Sequence, residues 1–109
     1  MAFDATLVKR IDSLLRRRRG ITQKRMFGGL CFLVDGKMVC GVERDRMVVR
    51  VGPDRYDALL KEPHVKPMDF TGRPLRGFLY VLPEGLKRPA QLKRWVDTSF
   101  TYARSLPQK

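Results

Sequence analysis

The sequence predicts a single α+β domain in which an antiparallel sheet of about five strands packs with an N-terminal and a C-terminal helix. Apolar residues near both ends recur at three- and four-residue spacing, which is typical of helices with one buried face. Short valine-rich runs follow one another between residues 21 and 51, and Asp35-Gly36 between two of them indicates a hairpin. With 109 residues, the chain has the length of one domain, 1–109.

The first element is predicted as a helix from residue 4 to about residue 19. Asp4 has the side chain of an N-cap, and Gly20 stands where a C-terminal cap belongs. Arg16 to Arg19 would fill the last turn, where cations suit the helix dipole. The buried stripe would consist of Leu7, Val8, Ile11, Leu14 and Leu15.

Four strands are predicted next, over residues 21–27, 30–34, 37–42 and 47–51. A type I′ turn at Asp35-Gly36 joins the second to the third, and a polar four-residue loop, 43–46, joins the third to the fourth.

The second half of the chain is predicted to hold one more strand and two helices. A short helix covers residues 53–60, an irregular connection rich in proline and glycine covers 62–77, and a strand covers 78–82. The last helix runs from Pro89 to about Leu106, since proline suits the first helical position.

The hairpin at Asp35-Gly36 sets the register of the sheet. A two-residue turn places Val34 opposite Lys37, and continuing the count places Cys31 opposite Cys40. Alternation then gives one face without any charge, which the two terminal helices would cover. That face would consist of Cys31, Leu33, Met38, Cys40, Val42, Met47, Val49 and Val51.

The opposite face is predicted to carry Phe32, Val39, Val48 and Arg50. It is too apolar to lie in water, so the 62–77 connection, a helix or a second copy of the chain must cover part of it. These four residues are therefore our candidate face for a protein partner or for self-association.

Several motifs suggest chemistry, but each has a simpler structural explanation. Gly28-Gly29 lacks the spacing of a phosphate-binding loop and favours a bend or bulge. Cys31 and Cys40 are interpreted as small core residues, with a reversible redox pair as the alternative. His64 has no nucleophile near it in sequence, and the carboxylates are scattered. We therefore expect no catalytic residues, no metal site, no cofactor and no small-molecule substrate.

Positive charge is the strongest feature of the composition. Twenty-three Lys and Arg against 11 Asp and Glu give a net charge of +12, which attracts polyanions such as nucleic acid. The competing explanation is that the chain is rich in arginine for compositional reasons and that the positive charge binds no particular ligand. The candidate polyanion-binding residues are Arg16, Arg17, Arg18, Arg19, Lys24 and Arg25, with Arg10, Lys87, Arg88, Lys93 and Arg94 as further members of one patch. No apolar run reaches the ~20 residues of a membrane span, so we expect a cytoplasmic protein.

A family resemblance rests on motifs spread through the chain. The motifs are KRMFGGL (24–30), Phe32, VDGKM (34–38), VRV (49–51), MDF (68–70), GRP (72–74), Tyr80, VLP (81–83) and Trp95. Together they resemble the N-terminal domain of the TfoX/Sxy competence regulators of bacteria. The resemblance implies a compact α+β fold without catalytic residues or cofactor. It also implies a link, in some members, to the activation of DNA-uptake genes with the cyclic AMP receptor protein. Full-length regulators carry a second, helical domain, whereas this sequence stops at Lys109.

The leading functional hypothesis is a non-enzymatic module that regulates transcription or competence through a protein partner, with DNA phosphates as auxiliary ligands. The alternative is a direct, largely nonspecific nucleic-acid-binding protein. A small redox or ligand-binding protein that uses Cys31 and Cys40 ranks third.

Overall fold

Three helices and one six-stranded antiparallel sheet make up the computed structural model, which describes residues 3–26, 28–69, 72 and 74–106. The helices are α1 (Ala5–Leu15), α2 (Pro53–Leu60) and α3 (Pro89–Ser105), and a 3₁₀ turn covers Pro83–Gly85. The strands are β1 (Ile21–Met26), β2 (Gly29–Val34), β3 (Lys37–Glu43), β4 (Arg46–Arg50), β5 (Val65–Asp69) and β6 (Pro74–Val81). Their order in the sheet is β1-β2-β3-β4-β6-β5. The predicted α+β class is confirmed, with six strands instead of five.

Local sequence signals account for most of the element boundaries. The Asp4 carboxylate accepts hydrogen bonds from the backbone N–H groups of Thr6 and Leu7, as an N-cap does. Asp35 and Gly36 both have positive φ, 50° and 80°, as the predicted type I′ turn requires. The first helix ends earlier than predicted, at Leu15, so the four arginines follow it in a turn. No helix among the described residues is both long and apolar enough to cross a membrane.

The region 62–77 was wrongly predicted to be irregular. It contains all of β5 and the first half of β6, which pair with each other. Pro67 lies within β5, and this is tolerated because β5 is an edge strand whose outer side needs no hydrogen-bond donor. The prolines led to the wrong prediction, because β5 is stabilised by its pairing with β6 and not by its own sequence pattern. Phe27, at the end of the predicted first strand, lies outside the described residues.

A bulge in the β2–β3 hairpin overturns half of the predicted register. Val34 pairs with Lys37 and Leu33 with Met38, as predicted. The register then shifts, so that Phe32 pairs with Cys40 and Cys31 with Gly41. Because one extra residue on β3 exchanges the two faces, the predicted Cys31–Cys40 pair does not form. The predicted pairing of β3 with β4, including Val42 with Met47, is confirmed.

The sheet is buried on both sides. On the side of the helices, Phe32, Val39 and Cys40 belong to the main core with residues of all three helices. A second core on the opposite side consists of Cys31, Met38, Val48, Met68 and Tyr80. Met68 of β5 belongs to this second core and the partly buried Leu75 of β6 packs against it, so the 62–77 region contributes side chains to this face as part of the sheet itself.

Candidate functional site

The end of α1 and the strand β1 form a basic corner of the molecule. The Gln23 side chain of β1 donates to the Asp12 carboxylate of α1 over 3.4 Å, so helix and strand are neighbours. The turn that follows α1 therefore leads directly into β1. We define the α1–β1 corner as Arg17, Arg19, Lys24 and Arg25, whose side chains are exposed.

The four residues of the corner differ from many of the other cations in having no carboxylate close to them. Among the described residues, seven other Lys or Arg side chains form ion pairs within 4.0 Å, and none of these pairs includes a corner residue. The guanidinium of Arg25 lies 5.7 Å from the centre of the Phe3 ring, a contact that leaves its charge unneutralised. The corner therefore presents four exposed cations to solvent.

Two of the six predicted polyanion-binding residues form ion pairs. Arg18 donates to the Asp97 carboxylate over 2.7 Å and lies 4.3 Å from the centre of the Phe100 ring, so it ties the turn to α3. Arg16 pairs with Asp12 one helical turn back, at 3.0 Å. Arg18 is therefore a structural residue, and Arg16 is partly neutralised.

Two of the five further basic residues predicted for the same patch pair with carboxylates, whereas Lys87 and Arg88 are exposed and belong to none of the ion pairs among the described residues. Lys93 donates to Asp97 over 2.7 Å, and Arg94 makes two hydrogen bonds to Glu62, one of them 2.7 Å long. These bonds from Arg94 hold the pKa of Glu62 below its ordinary value. Burial acts to raise the pKa of Asp97, but the hydrogen bonds from Lys93 and Arg18 outweigh it and lower that pKa.

Arg10 is also committed to local structure. Its guanidinium donates to the Leu86 carbonyl over 2.7 Å and so fastens α1 to the segment before α3. Within the predicted patch, the densest exposed and unpaired charge therefore lies at the α1–β1 corner.

The candidate partner face does not exist as one surface, because the bulge separates its members. Phe32 and Val39 are fully buried on the helix side of the sheet. Val48 is 2% exposed in the second core. Arg50 is half-buried between the rings of Phe78 and Tyr102, at 5.5 and 5.6 Å. The prediction that these four side chains share a face open to a partner was wrong.

The cysteines lie on opposite sides of the sheet, Cys31 in the second core and Cys40 in the main core. Both are free thiols. Burial raises the pKa of Cys31 to about 11, and it raises the pKa of Cys40 further. A thiol with so high a pKa is a poor nucleophile at neutral pH. The interpretation of both cysteines as core residues fits this arrangement better than the redox alternative does.

The remaining motifs of the sequence lie in turns. Met26 pairs with Gly29 at the start of β2 and Gly28 has a positive φ of 75°, so the chain bends just before Gly29, in agreement with the predicted bend. His64 is exposed, with a φ of 64°. The described residues contain no group of three or more His, Cys, Asp or Glu side chains arranged to hold a metal ion.

Sequence reasoning missed that β1 is an edge of the sheet. Thr22, Gln23, Lys24 and Arg25 are all exposed, so β1 is polar on both faces through most of its length. Polar and charged residues on both faces are typical of edge strands and were a usable signal.

The comparisons with known proteins bear on the family alone. The sequence matches the family described as the TfoX N-terminal domain over residues 13–103. Comparisons with curated proteins and with solved structures found no match. The match begins near the end of α1 and extends into α3, so it includes all six strands of the sheet. The chain therefore belongs to the TfoX N-terminal domain family.

Proposed function

We propose that this protein is a non-enzymatic regulatory module that acts in transcription by binding a protein partner through the α1–β1 corner, with nucleic-acid phosphates as auxiliary ligands. One observation carries the proposal: Arg17, Arg19, Lys24 and Arg25 are exposed where α1 leads into β1, and none of them belongs to the ion pairs formed among the described residues. Membership of the TfoX N-terminal domain family supports the regulatory context.

Unpaired cations at a surface favour an anionic partner for two physical reasons. Their like charges repel one another, and an acidic surface relieves this repulsion when it binds. A net charge of +12 also steers acidic molecules toward the protein and accelerates their association at low salt. A partner of this protein is therefore expected to present Asp, Glu or phosphate to the corner.

Direct binding of nucleic acid is the second candidate function, and the same four cations favour it. Each phosphate contact releases counterions, so the logarithm of the affinity falls linearly with the logarithm of the salt concentration. Neutralising the four corner residues should lower that slope by up to about 3–4, at about 0.9 per lost phosphate contact on duplex DNA.

A capture experiment with two matched variants tests both candidates. In the corner variant, Arg17, Arg19, Lys24 and Arg25 are replaced by glutamine. In the control variant, four exposed cations elsewhere are replaced by glutamine, namely Arg55, Lys61, Lys66 and Arg104, so that both variants have the same net charge. Immobilised wild type and both variants are exposed to native lysate at two salt concentrations, with and without nuclease.

The proposal expects a partner that the wild type and the control variant retain after nuclease treatment and that the corner variant loses. Loss of all captured material on nuclease treatment would establish the nucleic-acid alternative instead. If the corner and control variants capture the same amount of the partner, then only the total net charge affects binding, and the corner is not the binding site.

A further inference from the structure

The two edges of the sheet differ in how well they are protected. At the β5 edge, Pro67 removes a donor and the register with β6 shifts after it, so the edge is irregular. At the β1 edge, all six residues pair with β2 in an unbroken register, from Ile21 with Val34 to Met26 with Gly29. β1 contains no proline, and no described strand lies on its outer side.

The register shows which backbone groups of β1 face outward. The N–H of Asp35 donates to the carbonyl of Gly20 over 3.0 Å, which marks this opposed pair as hydrogen-bonded. Hydrogen-bonded and non-hydrogen-bonded pairs alternate along an antiparallel ladder. Ile21, Gln23 and Arg25 are therefore in non-hydrogen-bonded pairs, and their N–H and C=O groups point away from β2. A neighbouring strand would find a regular row of donors and acceptors there.

The side chains of β1 restrict the strand that can be added. Lys24 and Thr22 lie on the face of the second core, and Gln23 and Arg25 lie on the helix face, because neighbouring residues alternate. An incoming strand thus meets a cation on each of its two faces, with Arg17 and Arg19 close to one end. Opposite charges on neighbouring strands stabilise a sheet, and like charges destabilise it.

We propose that β1 is a strand-addition site that takes an extended acidic segment of a protein partner. This inference rests on the proposed function, since it specifies how the partner engages the α1–β1 corner. Backbone hydrogen bonds to Ile21, Gln23 and Arg25 hold the segment in register. Its Asp or Glu side chains pair with Lys24 on one face and Arg25 on the other, and this requirement makes the site selective.

Charge and backbone hydrogen bonding together favour an acidic peptide over the two other possible occupants, a second copy of the chain and a nucleic-acid strand. A second copy would bring its own Lys24 and Arg25, together with a net charge of +12, against the same edge, so self-pairing is disfavoured. A nucleic-acid strand satisfies the cations but has no backbone that can complete the row of amide donors and acceptors. An acidic peptide strand satisfies both.

The test uses a synthetic peptide of about seven residues in which glutamate alternates with threonine or valine. A second peptide of the same sequence carries N-methyl groups on alternate residues of one edge, and a third carries them on the other edge. N-methylation keeps the charge but removes the pairing N–H groups. A single-stranded oligothymidine of similar charge serves as the nucleic-acid probe. Affinities are measured by titration, and backbone amide shifts are recorded by NMR.

Two protein variants complete the design. Gln23→Pro removes one outward N–H without removing a hydrogen bond to β2, and proline is tolerated at the solvent side of an edge strand. Gln23→Ala removes the same side chain and keeps the N–H, so it is the matched control. Circular dichroism and urea unfolding show whether each variant folds, and the N-methyl peptides test the wild type independently of that result.

The proposal expects the unmethylated peptide to bind and one of the two N-methyl peptides to bind at least 10-fold more weakly. It expects Gln23→Pro to weaken peptide binding at least 10-fold relative to Gln23→Ala. Amide shifts should concentrate at Ile21, Gln23 and Arg25 and leave β5 unchanged. Binding of oligothymidine should be the same in both variants.

Four results would overturn the inference. The first is that neither N-methylation nor Gln23→Pro changes peptide affinity, because the corner then binds anions without pairing. The second is the absence of peptide binding to the wild type. The third is that oligothymidine, and not the peptide, shifts the amides of β1. The fourth is a concentration-dependent dimer that Gln23→Pro abolishes, because the edge then takes a second copy. The proposed function fails on a separate result, equal capture by the corner and control variants, so the two failures are distinguishable.

Discussion

Replacing Phe32 by alanine tests where the second strand directs its side chains. Phe32 is fully buried on the helix side of the sheet, in the cluster that includes residues of α1 and α3. The uninterrupted register predicted from the sequence would have turned it toward a partner instead. The two arrangements give opposite expectations for stability and for binding.

The expected loss of stability follows from the burial of the ring. Phe→Ala substitutions in protein cores lower the free energy of unfolding by about 3–5 kcal/mol, through lost transfer energy and the cavity left behind. A urea m-value of about 2 kcal/mol/M for a small domain converts this loss into a fall of about 2 M in the unfolding midpoint. Total stabilities of about 5–15 kcal/mol leave the variant folded or marginal.

Urea unfolding followed by circular dichroism measures the effect. Lys24→Ala, on the neighbouring strand, is the control and should stay within about 0.5 kcal/mol of the wild type. If Phe32→Ala unfolds before titration, Phe32→Leu leaves a smaller cavity and should lose about 1–2 kcal/mol. A loss below 1 kcal/mol for Phe32→Ala, with weaker partner binding and an unchanged midpoint, would refute the placement of this ring in the core.

Four further predictions concern three residues with defined surroundings. Arg18→Ala should lower the free energy of unfolding by about 1–2 kcal/mol, because it removes an ion pair and a ring contact to α3. The control Arg17→Ala should stay within about 0.5 kcal/mol of the wild type. Equal losses for the two variants in thermal or urea unfolding would contradict this. Cys31, with its pKa raised to about 11, should be alkylated by iodoacetamide at pH 8 at least ~100-fold more slowly in the native than in the unfolded chain. Because the folded state holds this proton more tightly, the associated stability is present below about pH 9 and is lost as the pH rises toward 11, which unfolding midpoints across that range would show. Gly52→Ala should lower stability by about 2–3 kcal/mol, because Gly52 has φ 85° and ψ 161° and a β-carbon there would overlap the Tyr102 ring. A Gly52→Ala variant with the urea midpoint of the wild type would contradict both the backbone conformation and the ring contact.

The candidate site was predictable from the sequence only in outline. Arg17, Arg19, Lys24 and Arg25 were among the residues predicted to bind polyanions, because a cluster of cations is visible in the chain itself. The removal of Arg18 from that set was not visible, since its partner Asp97 lies 79 residues away. Ion pairs between residues that are distant in sequence determine which cations remain unpaired, and such pairs cannot be inferred from the sequence alone.

The sequence by itself determined the elements whose causes are local. Helix periodicity, the cap at Asp4, the turn at Asp35-Gly36 and the proline that opens α3 each act within a few residues of themselves. Only the tertiary structure decided the bulge at Phe32/Leu33, the strand status of 65–69 and the position of β1 at the edge. Each of these features depends on which strand pairs with which and on how side chains from distant segments pack in the two cores. One extra residue on β3 thus places Phe32 in the main core, and the strand order leaves the polar strand β1 at an edge of the sheet.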